Sequence, residues 1–288
     1  GNTWYASSKE TMYIQGEDIK HVWHRLLFNL YNMGEPLAPR GIKTHELTGV
    51  TIAVQNPLRN ILTSDERNLN YRFMTAEWLW IWFGLEDAKT IGRYNSRIVQ
   101  FADPVTGIFD GAYGPRISRQ LPRILETLKS DSSSRQAVIQ IYSPSPAGSA
   151  DHPCTVSIQF MIRQNKLRTI VTMRSSDVWL GLPYDFFNFS MIANLIAYSC
   201  NVGLGSLTMH LGSSHLYDTN RPSAYTILKR ADVGCVSSPR LTSLPSEDLL
   251  RTLQDGENHV HFGSEYYRYA SALASKTSSG AFKCLTNG

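Results

Sequence analysis

Cysteine is scarce in this chain: Cys154, Cys200, Cys235 and Cys284 are the only four in 288 residues. They stand far apart, with neither the paired spacing of a zinc site nor the density of a disulfide framework, so no metal site is expected. Long apolar runs are missing too, and nothing in the sequence reads as a membrane span. The opening residues GNTWYASSKETMY lack the basic-then-apolar order of a secretion signal. These absences lead us to expect a cytoplasmic protein without a membrane partner. Charge is also unconcentrated, with 28 Lys and Arg against 24 Asp and Glu and a net charge of +4. That mild balance argues against nucleic acid, which demands a concentrated basic face, whereas a small anionic substrate needs only a few arginines. No internal repeat is visible, and the two polar low-complexity pieces, SDSSS (130–134) and SPSPAGSADHP (143–153), read as loops.

What is present is a core: 42% of the residues are hydrophobic, enough for one large domain spanning residues 1–288. EDIKHVWHRLLFNLYNM places Ile19, Val22, Trp23, Leu26, Leu27 and Leu30 on one helical stripe, with acidic residues in the first turn. GVTIAVQNP from Gly49 reads as a strand and TAEWLWIWFGL from Thr75 as a buried helix. SRQLPRILETLK from Ser118 reads as a helix with a proline near its start, and RQAVIQIY from Arg135 as a strand. The clearest β signal is TVSIQFMIR, a short QNK turn and LRTIVTMR, which predict a hairpin. A helix behind Asp185, a strand from Ser206 and a helix from Ser264 complete the pattern. Strands and helices alternate without a βαβ period, so the expected fold class is α+β, a mixed sheet with packed helices.

Cys154 lies in DHPCTVSIQF, after a proline and at the mouth of a strand. An isolated cysteine is ordinarily an inert small hydrophobe, and a reactive one needs positive charge beside it. Arg174, at the end of the partner strand, is the local candidate. Asp185 has two readings. It is either the N-cap of the buried helix that follows, or a carboxylate aimed at a ligand.

PCTVSIQF, followed by MRSSDVWLGLPYD and then HLGSSHLY, resembles the thymidylate synthase superfamily in order, spacing and residue type. Upstream, TAEWLWIWFG resembles the glutamate helix of that family, and GAYGPRI its tyrosine-glycine motif. SRQAVIQIY resembles its dimer-contact strand and PRGIKTHELTG its phosphate loop, so the likeness covers about residues 17–220. The resemblance implies a thymidylate synthase-like fold, a homodimer, a pyrimidine nucleotide monophosphate as substrate, and methylenetetrahydrofolate as co-substrate. It implies that Cys154 adds to carbon 6 of the pyrimidine and turns carbon 5 into a nucleophile that takes up a one-carbon unit. Loss of the carbon-5 proton and elimination of the folate then leave an exocyclic methylene. Arg40, Arg174 and Ser175 would hold the phosphate, with Arg135 reaching it across the dimer interface. His215 and Tyr217 would contact the sugar, Asp177 would face the pterin, and Glu77 with Tyr113 would organise water and proton transfers.

Departures from the synthases set the expected reaction. Synthases carry asparagine at the position of Asp185, where its amide matches uracil. An aspartate offers an acceptor to the amino group of cytosine and, through a proton, a donor to ring nitrogen 3. Members with aspartate here are the cytidylate hydroxymethylases of phages and nucleoside-antibiotic pathways, which PCTVSIQF also resembles more closely. Thr155 replaces the histidine after the nucleophile, Gln136 a second dimer arginine, and Ser213 the acid ahead of the sugar-binding histidine. The folate-holding aromatic motif is poorly matched by SRIVQFADP, and the tail AFKCLTNG lacks the apolar terminus that closes over the synthase site. The resemblance therefore implies 5-hydroxymethylation of cytidylate, CMP or dCMP, by water in place of hydride, with Ser133 or Ser176 beside the sugar. The alternatives are methylation of dUMP by a true synthase, and a catalytically silent nucleotide- or RNA-binding relative, which would be expected to lack Cys154 or Glu77.

Overall fold

Alternating β-branched and apolar residues on either side of Gln164 and Asn165 create the centre of a sheet. The computed structural model describes residues 5–8 and 11–287. Its strands are β1 (Tyr5–Ser8), β2 (Thr11–Gly16), β3 (Glu35–Leu37), β4 (Thr44–Val54), β5 (Ile61–Thr63), β6 (Val138–Gln140), β7 (Thr155–Arg163), β8 (Lys166–Asp177), β9 (Gly203–Tyr217) and β10 (Gly234–Val236). Its helices are α1 (Ile19–Met33), α2 (Tyr71–Trp82), α3 (Ala88–Gly92), α4 (Tyr113–Ser130), α5 (Leu182–Ser199), α6 (Arg221–Arg230), α7 (Glu247–Asp255), α8 (Tyr267–Ala274) and α9 (Ser278–Thr286). Among the described residues, the main sheet has eight strands in the order β1-β2-β4-β9-β8-β7-β6, with β3 pairing β4. Pairs β2/β4 and β8/β9 are parallel and the rest antiparallel, so the sheet is mixed, as expected. No described helix is long and apolar enough to cross a membrane.

The β7–β8 hairpin turns on two residues, Gln164 and Asn165, both at positive φ (52° and 57°), which suits the primed turn that follows the natural strand twist. The turn is thus shorter than QNK, because Lys166 already pairs with Arg163. β8 continues through Asp177, and its parallel register sets Ser175 beside Ser213 and Asp177 beside His215. Two segments far apart in sequence thereby meet side by side.

Helix α1 buries its apolar stripe, with Trp23, Leu26 and Leu27 fully enclosed. The acidic pair lies before its first turn, where Asp18 caps the helix by accepting from the amide of His21 at 2.9 Å. Helix α5 is buried nearly all round, from Leu182 to Ala197, and packs against α2, β8 and β9. A helix so enclosed has no polar face, so amphipathic periodicity alone could not orient it.

Helix α4 begins at Tyr113, five residues before the sequence reading placed it, and Pro122 lies inside the helix rather than near its start. Gly114-Pro115 has the look of a turn. Proline is nevertheless compatible with a first helical turn, whose amides have no intrahelical partner. RQAVIQIY contributes only Val138–Gln140 to the sheet. Gly114 lets α4 approach the backbone of the preceding turn: a Cβ there would sit 2.7 Å from the Leu85 carbonyl oxygen and 3.0 Å from the Gly84 carbonyl carbon. Gly114→Ala should therefore force α4 away from residues 84–85 and cost about 1–3 kcal/mol of stability. Urea denaturation tests this, and an unchanged midpoint would mean that the helix start has room to spare.

Candidate active site

The segment from Met173 to Asp185 is fixed by hydrogen bonds before it enters α5. Asp177 Oδ1 accepts from the amides of Trp179 and Leu180, both at 2.8 Å, which folds the turn after β8. Trp23 Nε1 donates to the Val178 carbonyl and Arg67 Nε to the Trp179 carbonyl, each at 2.7 Å. The Arg67 guanidinium also lies over the rings of Trp179 and Tyr184, at 5.6 and 5.7 Å from their centroids. Helix α5 then starts at Leu182, with Gly181 as its N-cap and Pro183 in the first turn. Asp185 is therefore not the N-cap. It sits one turn inside the helix, where its amide donates to the Gly181 carbonyl at 2.9 Å.

A cavity of about 550 Å³ opens at this point. Arg40, Glu77, Tyr113, Cys154, Arg174, Ser175, Asp177, Asp185, His215 and Tyr217 all line it, although they come from seven different parts of the chain. Ser176 lines it as well, whereas Ser133 does not. Arg135 also lies outside the cavity: it is exposed after the polar 130–134 loop, and its carbonyl accepts from Gln159 Nε2 at 3.0 Å. A larger cavity of about 750 Å³ beside α1 holds none of these residues, so chemistry rather than size selects the site.

Around Cys154 the backbone is held from two sides. Arg174 Nε donates to the Pro153 carbonyl at 2.9 Å, and its Nη2 lies 3.3 Å from the His152 carbonyl and 3.9 Å from Cys154 Sγ. The Thr155 amide donates to the Tyr113 hydroxyl at 3.1 Å. Burial and then the Asp185 charge push the thiol up, while Arg174 opposes them. Burial also raises the proton affinity of Asp185 itself, well above the usual carboxylate range. The single guanidinium expected to activate the thiol is present, and burial still outweighs it. Tyr113, deeply buried, stays a neutral hydroxyl. Arg40 has a left-handed backbone (φ 54°, ψ 28°), uncommon for a residue with a side chain and a mark of a position held for its direction.

Glu77 and Asp185 face each other across α2 and α5. Burial lifts Glu77 to about 7, against a stabilising hydrogen bond of 2.6 Å from Asn188 Nδ2. Burial, followed by the charges of Glu77 and Asp177, lifts Asp185 well above the usual carboxylate range, and no hydrogen bond to its carboxyl forms among the described residues. When protonated, Asp185 offers the cavity both a donor and an acceptor.

The sequence reading missed Asn188. Its signal was available, since it lies three residues after Asp185 on a helix otherwise nearly apolar there. The reading also passed over Trp80, Ile98, Phe101 and Phe109, which form an apolar wall. Ile98 and Phe101 come from SRIVQFADP, the segment judged a poor folate motif, yet both reach the cavity. This wall, with Asp177 Oδ2 free of hydrogen bonds among the described residues, fits a flat pterin that carries ring N–H groups. The tail forms α9, which packs on α2 through a Tyr71–Phe282 ring contact at 4.8 Å and lines no part of the cavity.

A half-buried thiol at a strand mouth, clasped by arginine and sharing a cavity with two carboxyls of raised pKa, is an arrangement suited to covalent catalysis. A model of the thymidylate synthase family matches residues 22–259, and the chain belongs to that family. The match reaches further toward the C-terminus than the motifs alone suggested. The chain is 32% identical over 213 residues to a deoxyuridylate hydroxymethyltransferase of Bacillus phage SP01, covering 67% of this chain and 55% of the phage protein. It thus spans about half the length of that relative. It is also 25% identical over 225 residues to a thymidylate synthase of Francisella tularensis subsp. holarctica, covering 70% of this chain and 79% of that one.

The raised Glu77 makes a stability prediction. Below pH 4.5 Glu77 is protonated in both folded and unfolded chains. Between 4.5 and about 7 the unfolded chain releases its proton first, so stability falls with rising pH, by about 3 kcal/mol in all. Glu77→Gln removes this loss. Its melting temperature should exceed the parent's at pH 8 and converge with it near pH 4; a constant difference across that range would contradict the buried carboxyl.

Proposed function

We propose that this chain 5-hydroxymethylates cytidylate, using methylenetetrahydrofolate and water. The observation that carries the reading is Asp185: a carboxyl inside the cavity whose proton affinity is raised well above the usual carboxylate range by burial and by the neighbouring Glu77 and Asp177. Cytosine presents an amino group beside the lone pair of ring nitrogen 3. A protonated carboxyl complements both, with its O–H donating to the nitrogen and its carbonyl oxygen accepting from the amino group. Uracil presents the reverse pattern, so the preference for cytosine requires the carboxyl O–H to be turned toward ring nitrogen 3.

Cys154 adds to carbon 6 as thiolate, and carbon 5 becomes the nucleophile. Arg174 stabilises the thiolate as it forms, beside the phosphate that it grips with Arg40 and Ser175. Methylenetetrahydrofolate, the co-substrate of this family, supplies a one-carbon unit at the oxidation level of formaldehyde, so its transfer as hydroxymethyl consumes water and no reductant. Tyr113, a neutral hydroxyl that accepts from the Thr155 amide, orients the solvent that carries off the carbon-5 proton. Glu77, poised near neutrality and oriented by Asn188, then holds the water that adds to the exocyclic methylene as the thiol departs. His215 and Tyr217 hold the sugar, and Asp177 with the apolar wall holds the pterin. The likeness to the phage hydroxymethyltransferase supports the fate of the one-carbon unit. It also favours a second reading, the same transfer to deoxyuridylate, whereas likeness to the synthases favours methylation of dUMP.

One assay separates these readings. The protein is incubated with methylenetetrahydrofolate and CMP, dCMP or dUMP tritiated at carbon 5, and products are identified by mass. Label release from a cytidylate with a hydroxymethyl product is expected, and release from dUMP alone would sink the cytidylate reading. Asp185→Asn should stay folded, lose most cytidylate turnover and gain uridylate turnover. A mispaired buried polar group costs about 1–3 kcal/mol, or about five- to a hundredfold. An unchanged preference would remove the base-reading role.

The site is shared across a homodimer in this proposal, with Arg135 reaching the phosphate of the other subunit. Arg135→Ala and Cys154→Ala should each be inactive, while mixing them should regenerate activity, because a hybrid dimer holds one site free of both lesions. No recovery after verified subunit exchange would contradict the shared site.

A further inference from the structure

Ser213 stands where the family pattern places an acid, and the structure holds a carboxylate next to it from another strand. Glu46 on β4 is directly opposite His215 in the antiparallel register with β9. Ser213, two residues before His215, shares its side of the strand. Its hydroxyl donates to Glu46 Oε2 at 2.5 Å and lies 3.4 Å from His215 Nδ1. Neither Glu46 nor Ser213 lines the cavity, whereas His215 does.

We infer that Glu46 is a positioning residue for sugar recognition, setting the tautomer of His215 through the Ser213 hydroxyl. The inference rests on the nucleotide reading for the word sugar, and on geometry for the rest. A serine that gives its proton to a carboxylate has only lone pairs left for a second neighbour. His215 Nδ1 therefore carries the ring proton, and Nε2 is left as an acceptor for a hydroxyl in the cavity. Two other groups face the ring. Asp177, its parallel neighbour on β8, spends Oδ1 on the amides of Trp179 and Leu180, and no described hydrogen bond joins it to His215. Tyr217 meets the ring edge-on at 5.4 Å. Burial lowers the pKa of His215, and Asp177 and Glu46 only partly offset this, so the ring is neutral and its tautomer is the quantity that matters.

Glu46→Gln replaces the acceptor with an amide that can donate to Ser213. The serine proton is then free to turn toward Nδ1, which moves the ring proton to Nε2 and removes the acceptor. Nitrogen-15 NMR of the nucleotide-free protein reads this directly. The parent should show a protonated Nδ1 and an unprotonated Nε2, and Glu46→Gln should shift the ring toward the opposite tautomer. Ser213→Ala, which leaves the carboxylate in place, should also lose the preference. Adding Ser213→Asp to Glu46→Gln returns a carboxylate beside Nδ1 and should restore it. By calorimetry, CMP should bind Glu46→Gln about tenfold more weakly, the worth of one hydrogen bond, with KM rising more than kcat falls. Recovery in the double variant supports the inference. An unchanged tautomer in Glu46→Gln, or an unchanged CMP affinity with a changed tautomer, overturns it. A parent protein that binds no pyrimidine nucleotide would overturn the nucleotide reading, and the sugar role with it, while the tautomer result would still stand.

Discussion

Two carboxyl groups held between apolar helices are the constraint around which the site is organised. Glu77 lies on α2 among Trp78, Leu79 and Trp80, and Asp185 lies on α5 among Tyr184, Phe186 and Phe187. Removing both from water as anions is costly, so burial raises the proton affinity of each. Asn188 reduces the cost for one of the two by donating to Glu77, while its own Oδ1 is buried without a partner. The pair is thus left unequal. Glu77 is poised near neutrality by burial, and Asp185 is raised well above the usual carboxylate range by burial and by the charges of Glu77 and Asp177. An arrangement this costly survives only where the helices are over-determined by packing, and nearly every side chain of α5 contributes to that packing.

The sheet performs the complementary task of delivering cationic and polar groups to the same place. Parallel pairing of β8 and β9 puts Ser175 and Asp177 beside Ser213 and His215, and β4 brings Glu46 up on the far side. Arg174 clasps the chain just ahead of Cys154 through two carbonyls, so one side chain both fixes the thiol and gives it an adjacent charge. Tyr113 fixes the same stretch from α4 by accepting from the next amide. Strand ends and helix starts are suited to this work, because their backbone groups lack regular partners and are free to bond side chains.

Family membership leaves open which base is read and what becomes of the one-carbon unit, and those depend on a few polar substitutions. Asparagine and aspartate have nearly the same shape, yet only the aspartate can gain or lose a proton, and burial raises its affinity for one. The exchange of an acid for Ser213 shows a second pattern, in which the charge lost from one strand is present on its neighbour. Thr155, where synthases carry histidine, is fully buried with its hydroxyl unpartnered. Nothing in the structure explains that substitution.

Much of this was legible in the sequence because the relevant signals are local. Alternation gave the β7–β8 hairpin, the 3.6-residue stripe gave α1, and ordered motifs pointed to ten residues that do line one cavity. The start of α4 was misread, because Gly114 and Pro115 have two local meanings and only contact with residues 84–85 selects between them. The N-cap reading of Asp185 failed for a similar reason: α5 starts earlier, at a glycine anchored to the Asp177 turn. Sequence alone determined which residue types were available, and in what order along the chain. Tertiary structure decided their protonation and their partners, because desolvation and the pairing of Glu77 with Asn188, or of Glu46 with Ser213, arise only when segments more than a hundred residues apart are brought into contact.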